Sequence, residues 1–200
     1  MINIGMLNNR ALPGDCVLTG TNSKFTIGGL IQHAQRVQTP DGKPSMWKHV
    51  LMYIDQWTIA ESTIDHEPYL PTAKKLDNGP QYNNLESLAT EDYATLLHFT
   101  SLTDAQRQKL TDQAQEIIWS GKFRYDITGL FGSLLSYYLF PWWKSNPLSS
   151  KHQLYCSAFV SKILRSIDID VDKQHTDRNT SPERIWQWAN KYPGIEIIKL

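Results

Sequence analysis

After Cys156 the apolar residues fall at Phe159, Val160, Ile163, Leu164 and Ile167. That i, i+1, i+4, i+5, i+8 spacing is the stripe of an α-helix with one buried face, so the rest of the chain must supply the surface on which that face packs. The helix begins at Cys156. A cysteine there lies among backbone N–H groups without intrahelical acceptors, at the positive end of the helix dipole, where thiolate is favoured over thiol. Two roles fit: an activated nucleophile, or the small buried apolar residue that most free cysteines are. The stretch alone does not choose between them.

At 200 residues the chain is long enough to bury a substantial core, and a single domain spanning 1–200 is expected. Twenty basic and twenty acidic residues cancel. No global field therefore draws nucleic acid or an anionic membrane to the protein, and nucleic-acid binding is set aside. The two cysteines, Cys16 and Cys156, form neither a disulfide framework nor C-x-x-C metal spacing; they fit a reduced compartment or, at most, one bridge. No metal or other cofactor is expected. The opening residues Met1 to Leu7 lack a basic stretch followed by a sustained apolar run. The expectation is synthesis in the cytoplasm without a signal peptide, with export by a signal-independent secretion system as the alternative.

Leu12-Pro13-Gly14-Asp15 is turn chemistry leading into a short strand, Cys16 to Thr19, with Cys16 in the core. Apolar residues at 27, 30, 31, 34 and 37 make a helical stripe weakened by Gly28-Gly29, and no G-x-G-x-x-G or G-K-[ST] surrounds that pair to make it a phosphate loop. From His49 the pattern changes to a β-hairpin: His49 to Ile54, a turn near Asp55-Gln56, then Trp57 to Ile64. His49 and Glu61 fall at the same end of it, and the loop length decides whether they share a face. A two-residue loop sets His49 opposite Ser62 and turns Glu61 away. A three-residue loop, or a bulge, sets Leu51 opposite Glu61 and brings Glu61 to the His49 face. Asp-Gln lacks the Asn-Gly or Asp-Gly signature of a tight turn, which makes the longer loop credible.

Residues from about 65 to 100 are rich in Pro, Asn, Asp and Gly and read as an irregular surface insertion with a short strand near Leu96 to Phe99; His66 and His98 have no evident partners. Thr103 and Gln106 form a capping box for a helix whose stripe, Leu110, Ala114, Ile117 and Ile118, runs until Gly121. The run Gly129 to Trp143 is strongly apolar, but shorter than the roughly 20 residues needed to span a bilayer, and Pro141 breaks its end, so no transmembrane segment is expected. It reads as a second insertion, about 129–150, either a buried helix or an apolar wall beside Cys156. Ser181-Pro182-Glu183 opens a helix through Trp186, Trp188 and Ala189, and Ile195 to Ile198 is a final strand.

The chain thus carries Gly14-Asp15 before a strand, Trp47-Lys48-His49-Val50 opening a strand, and Glu61 late in the next. Tyr125-Asp126 follows, then Tyr155-Cys156-Ser157-Ala158-Phe159-Val160 opening a helix. This order resembles the circularly permuted branch of the NlpC-type papain-like cysteine hydrolases, the YiiX-like group, to which the lecithin:retinol acyltransferase-like enzymes are related. The resemblance runs from about Leu12 to Ile167, and its specific parts are the cysteine motif and the histidine strand. It implies an α+β, papain-like fold in which a small antiparallel sheet packs against the helix bearing the nucleophile. It also implies Cys156 as nucleophile, His49 as general base and Glu61 as the group orienting the imidazole, with backbone N–H groups at the helix start available to an oxyanion. Tyr125, Tyr155 and Ser157 would support the site or contact substrate. Ala158 stands where the family usually has Glu, and Ser62 where Ala usually follows the orienting Glu; neither is one of the implied catalytic groups.

The function implied by this resemblance is a cysteine peptidase or amidase that cleaves an amide through an acyl-enzyme. The implied substrate is a peptidoglycan peptide. Joined to the absent leader, it suggests a delivered antibacterial effector with an immunity protein or a secretion-system component as partner. One alternative is a lipid acyl hydrolase or acyltransferase, motivated by the 129–143 run and the acyltransferase kinship. Another is an inactive binding module, with Glu61 turned away and the cysteine buried. Metallohydrolase and serine-hydrolase readings fail, because the chain has no H-E-x-x-H, no paired C-x-x-C and no G-x-S-x-G.

Overall fold

A computed structural model describes residues 2–23, 26–63, 79–125, 154–172 and 180–200. In chain order their main elements are α1 (Ile4–Arg10), β1 (Cys16–Gly20), α2 (Ile27–Ala34), β2 (His49–Tyr53), β3 (Thr58–Thr63) and β4 (Gly79–Asn84). There follow β5 (Tyr93–Phe99), α3 (Asp104–Trp119), α4 (Cys156–Arg165), α5 (Pro182–Ala189) and β6 (Ile195–Lys199). The strands form one antiparallel sheet in the order β4-β3-β2-β1-β5-β6. The class is α+β, as expected.

Strand alternation divides the apolar residues between two layers. Cys16, Leu18, Val50, Met52, Ala60, Leu97 and Phe99 join the core beneath α3, α4 and α5, whereas Val17, Leu51, Tyr53, Ile59, Leu96 and Ile198 pack with α1 and the 3₁₀ turn Leu85–Thr90. Because β1 and β2 are covered on both faces, they read as near-continuous apolar runs rather than an alternation. Helix α4 lies on β2 and β3 with Phe159, Val160, Ile163 and Leu164 fully buried. Each such side chain contributes about 1.5–3 kcal/mol of transfer free energy. The predicted stripe is thus what seats the helix, and its start falls at Cys156.

The short strand expected near Leu96 to Phe99 is present as the end of β5, but the rest of residues 79–99 differs from an irregular insertion: they supply the whole of β4 and a longer β5 that lies between β1 and β6. β4 escaped notice because Gly79-Pro80-Gln81-Tyr82-Asn83-Asn84 has the composition of a turn. It is the edge strand of the order above, and an edge tolerates a proline that would cost a ladder hydrogen bond inside a sheet. The short helix α1, capped by the Asn3 side chain on the Met6 N–H, was likewise not anticipated. The capping box of α3 forms as expected, and the helix stops just before Gly121 at φ 59°. Residues 64–78 and the apolar run 129–143 lie outside the described residues. Among those described, no helix is long and apolar enough to cross a membrane.

Asp15 ties three elements together from a fully buried position. Its carboxylate accepts from the Leu12 N–H (2.9 Å), the Phe99 N–H (3.1 Å), Arg107 Nη1 (2.8 Å) and His98 Nδ1 (2.6 Å). Arg107 also donates to the carbonyls of Pro13 and Phe99. His98 therefore does have a partner. Gly14 turns the chain into this site at φ 89°, where an added Cβ would lie 2.8 Å from Leu110 Cδ1. The Gly14-Asp15 pair is scaffold: it fixes β1, and β1 in turn pairs with β2 through Thr19 opposite His49.

Candidate active site

The hairpin settles which face Glu61 takes. Tyr53 pairs with Ile59 and Met52 with Ala60, and the Ile54 N–H bonds the Thr58 carbonyl at 3.0 Å, leaving Asp55, Gln56 and Trp57 as a three-residue loop. His49, Leu51 and Tyr53 share one face by alternation, and Ile59 and Glu61 share it across the pair. His49 Nε2 and Glu61 Oε2 are 2.7 Å apart. The arrangement with Ser62 opposite His49 does not occur. Ser62 Oγ instead donates to the Leu154 carbonyl at 2.6 Å, on the side from which α4 approaches.

The two strands part just where the cysteine enters. β2 continues to His49 along β1, and β3 continues to Thr63 along β4, but their mutual pairing stops at Met52 and Ala60. The Val50 N–H, which a continued ladder would give to a β3 carbonyl, donates to the Cys156 sulfur. The first residue of α4 thus fills the gap between diverging strands. Tyr155 occupies the N-cap, and its side chain makes no cap bond to the first turn.

The chemistry follows from who faces whom. A carboxylate only accepts, so Nε2 of His49 presents its proton to Glu61 and Nδ1 is left for the hydrogen bond with Cys156. Burial opposes ionisation of Cys156 and is the largest single influence on it. The His49 charge, the His49 hydrogen bond and the N–H groups of Val50 and Ser157 together outweigh burial and hold the thiol below its ordinary range. Burial likewise opposes the imidazolium most strongly. The charge and hydrogen bond of Cys156, then the bond and charge of Glu61, reverse it and push His49 well above its ordinary value. Both shifts favour the thiolate–imidazolium form of the pair. Glu61 is nearly enclosed, at 6% side-chain exposure, while 17% of the His49 side chain remains open to solvent.

Cys16 is the internal contrast. It too is a free, buried thiol, but burial and the neighbouring Asp15 carboxylate both push its pKa up, so it stays protonated and inert.

The strand that carries His49 is clamped at its entrance. Ser45 Oγ donates to the buried Glu183 Oε2 at 2.7 Å and accepts the Trp47 N–H at 3.0 Å. Gln35 Nε2 donates to the Trp47 carbonyl at 2.7 Å, and the Trp47 and Trp186 rings lie 5.0 Å apart. None of these partnerships was evident from the sequence; the one available signal was Glu183 in the first turn after Ser181-Pro182. The three expected supporting residues are all buried. Tyr125 and Tyr155 belong to the core, and the Ser157 hydroxyl donates to the Thr180 carbonyl at 2.6 Å, so that only its N–H faces the sulfur. Among the described residues no cluster of His, Cys, Asp and Glu side chains is arranged to hold a metal ion.

Compared with known proteins, the chain matches no family model, no curated protein and no solved structure.

Proposed function

We propose that the protein is a cysteine hydrolase of papain-like type that cleaves an amide through an acyl-enzyme, with Cys156 as nucleophile, His49 as acid and base, and Glu61 as the group that orients the imidazole. The observation that carries this reading is the Cys156–His49–Glu61 line, in which one imidazole nitrogen meets the sulfur and the other meets a buried carboxylate at 2.7 Å. The Cys156 thiolate adds to the substrate carbonyl, and the oxyanion is received by backbone N–H groups at the start of α4. Collapse of the tetrahedral adduct breaks the C–N bond, and the His49 imidazolium gives its proton to the departing amine. Water then attacks the thioester, neutral His49 takes its proton, and Cys156 leaves as thiolate while the acid departs. The charge on Glu61 favours imidazolium at both stages.

The substrate we propose is a peptide amide of bacterial peptidoglycan, and the proposed setting is delivery as an antibacterial effector. Both rest on the family resemblance of the histidine strand and the cysteine motif. Incubating purified peptidoglycan with the protein and with Cys156→Ala tests this directly. New amine and carboxyl termini, seen by mass spectrometry for the wild type and absent for the variant, are the expected result. Intact muropeptides in both samples overturn the substrate.

A further inference from the structure

We propose that Asn83 on β4 is a positioning residue that fixes the Glu61 carboxylate for its contact with His49, extending the line Cys156–His49–Glu61 to a fourth member. The proposal rests on the thiol-hydrolase reading and adds to it what holds the orienting group in place.

Asn83 pairs with Ile59 and Gln81 pairs with Glu61, so Asn83 lies diagonally across from Glu61 on the same face of the sheet. Its Nδ2 donates to Glu61 Oε1 at 2.9 Å, and the residue is buried. The orientation of the carboxamide is fixed by its other end, because Oδ1 accepts the Asn84 backbone N–H at 2.7 Å. Turning the amide over would set two donors against each other at that N–H and two acceptors against each other at Glu61. The carboxylate is thereby divided: Oε1 is held by Asn83, and Oε2 is aimed at His49 Nε2.

The sheet explains why such a brace is needed. β3 and β4 pair continuously from Thr58 with Asn84 to Thr63 with Gly79, whereas β2 and β3 have already separated beside His49. Glu61 therefore belongs to the β3–β4 unit and His49 to the β1–β2 unit. Backbone hydrogen bonds do not fix the distance between them at this level, and the side-chain chain Asn83–Glu61–His49 does. A glutamate has three side-chain torsions to restrain; a donor on the fully paired neighbouring strand restrains them in the frame of its own unit.

The test is the pH dependence of Cys156 alkylation by iodoacetamide, with the modified residue identified by peptide mass spectrometry. It compares wild type, His49→Asn, Glu61→Gln, Asn83→Ala and Asn83→Leu. Leucine keeps the number and branching of the asparagine side-chain heavy atoms without the donor, so beside Asn83→Ala it separates loss of the donor from loss of packing. If Asn83 positions Glu61, both Asn83 variants raise the alkylation midpoint toward that of an ordinary thiol and slow alkylation about tenfold at pH values below both midpoints, in the same direction as Glu61→Gln. Midpoints that move with His49→Asn and Glu61→Gln but stay at the wild-type value in both Asn83 variants overturn the positioning role and leave the thiol-hydrolase reading intact. A wild-type midpoint at the ordinary thiol value, indifferent to His49→Asn, overturns that reading itself.

Discussion

Replacing Asp15 by Asn changes one atom and one charge, yet it should be among the most damaging substitutions in this fold. The carboxylate accepts four hydrogen bonds, from the N–H groups of Leu12 and Phe99, from Arg107 Nη1 and from His98 Nδ1. A carboxamide keeps one acceptor. With its oxygen toward Phe99 and Arg107, its NH₂ meets the Leu12 N–H, so that bond is lost and two donors face each other, while His98 keeps its contact only by switching to the tautomer in which Nδ1 accepts. Arg107, 8% exposed at its side chain, is left without its counter-charge. Hydrogen bonds to charged groups are worth about 1.5–3 kcal/mol each, and breaking one side of a buried ion pair costs about 3–5 kcal/mol. The two figures describe overlapping losses, and the expected destabilisation is about 3–5 kcal/mol. For a chain of 200 residues, each kcal/mol lowers Tm by about 2–4 °C, so the melting temperature should fall by roughly 6–20 °C. Differential scanning calorimetry measures it, with Glu196→Gln as the control. Glu196 pairs with Arg10 on the open surface, both side chains being about half exposed, and its loss should cost less than about 1 kcal/mol. An Asp15→Asn protein that melts within 2 °C of wild type would refute the view that Gly14-Asp15 is the staple of β1, β5 and α3.

Two further outcomes follow from the site. The thiol of Cys156 is held low and the imidazole of His49 is held high, so the ion pair exists between those two values. Turnover should fall on the acid side as the thiolate takes up a proton, below the ordinary thiol value of about 8.5, and on the alkaline side as the imidazolium loses its own, above about 6.5. A kcat/KM profile whose acid limb lies at or above the ordinary thiol value would contradict the pair. Thr19, opposite His49 on β1, is fully buried, and its Oγ1 has no hydrogen-bond partner among the described residues. Thr19→Val, which removes an unsatisfied hydroxyl at constant shape, should leave stability unchanged or raise it by up to about 1 kcal/mol; urea titration giving a loss above that would show the hydroxyl to be in use.

The amphipathic helix at Cys156, the capping box, the Ser181 N-cap and the hairpin were legible because each is local. The stripe, the Thr103–Gln106 reciprocity and the Ser181-Pro182 start depend on residues within a turn or two of one another. Of the 79–99 region only the end of β5, Leu96 to Phe99, was legible. An edge strand requires little apolar content, and β5 is identified as a central strand only by its neighbours β1 and β6, which lie far away in sequence. His98, Glu183 and Asn83 escaped for the same reason, since their partners Asp15, Ser45 and Glu61 are 83, 138 and 22 residues distant.

What the sequence determined by itself is that Cys156 opens a helix and that His49 and Glu61 lie at one end of one hairpin. Helical periodicity and hairpin pairing follow from short-range backbone geometry. Only the tertiary structure decided that these residues meet. The loop proved to hold three residues, which put Glu61 on the His49 face, and the divergence of β2 from β3 left the Val50 N–H for the sulfur. A change of one residue in strand register reverses every side chain, and which register holds is settled by the packing on both faces of the sheet, a sum over contacts that no local stretch contains.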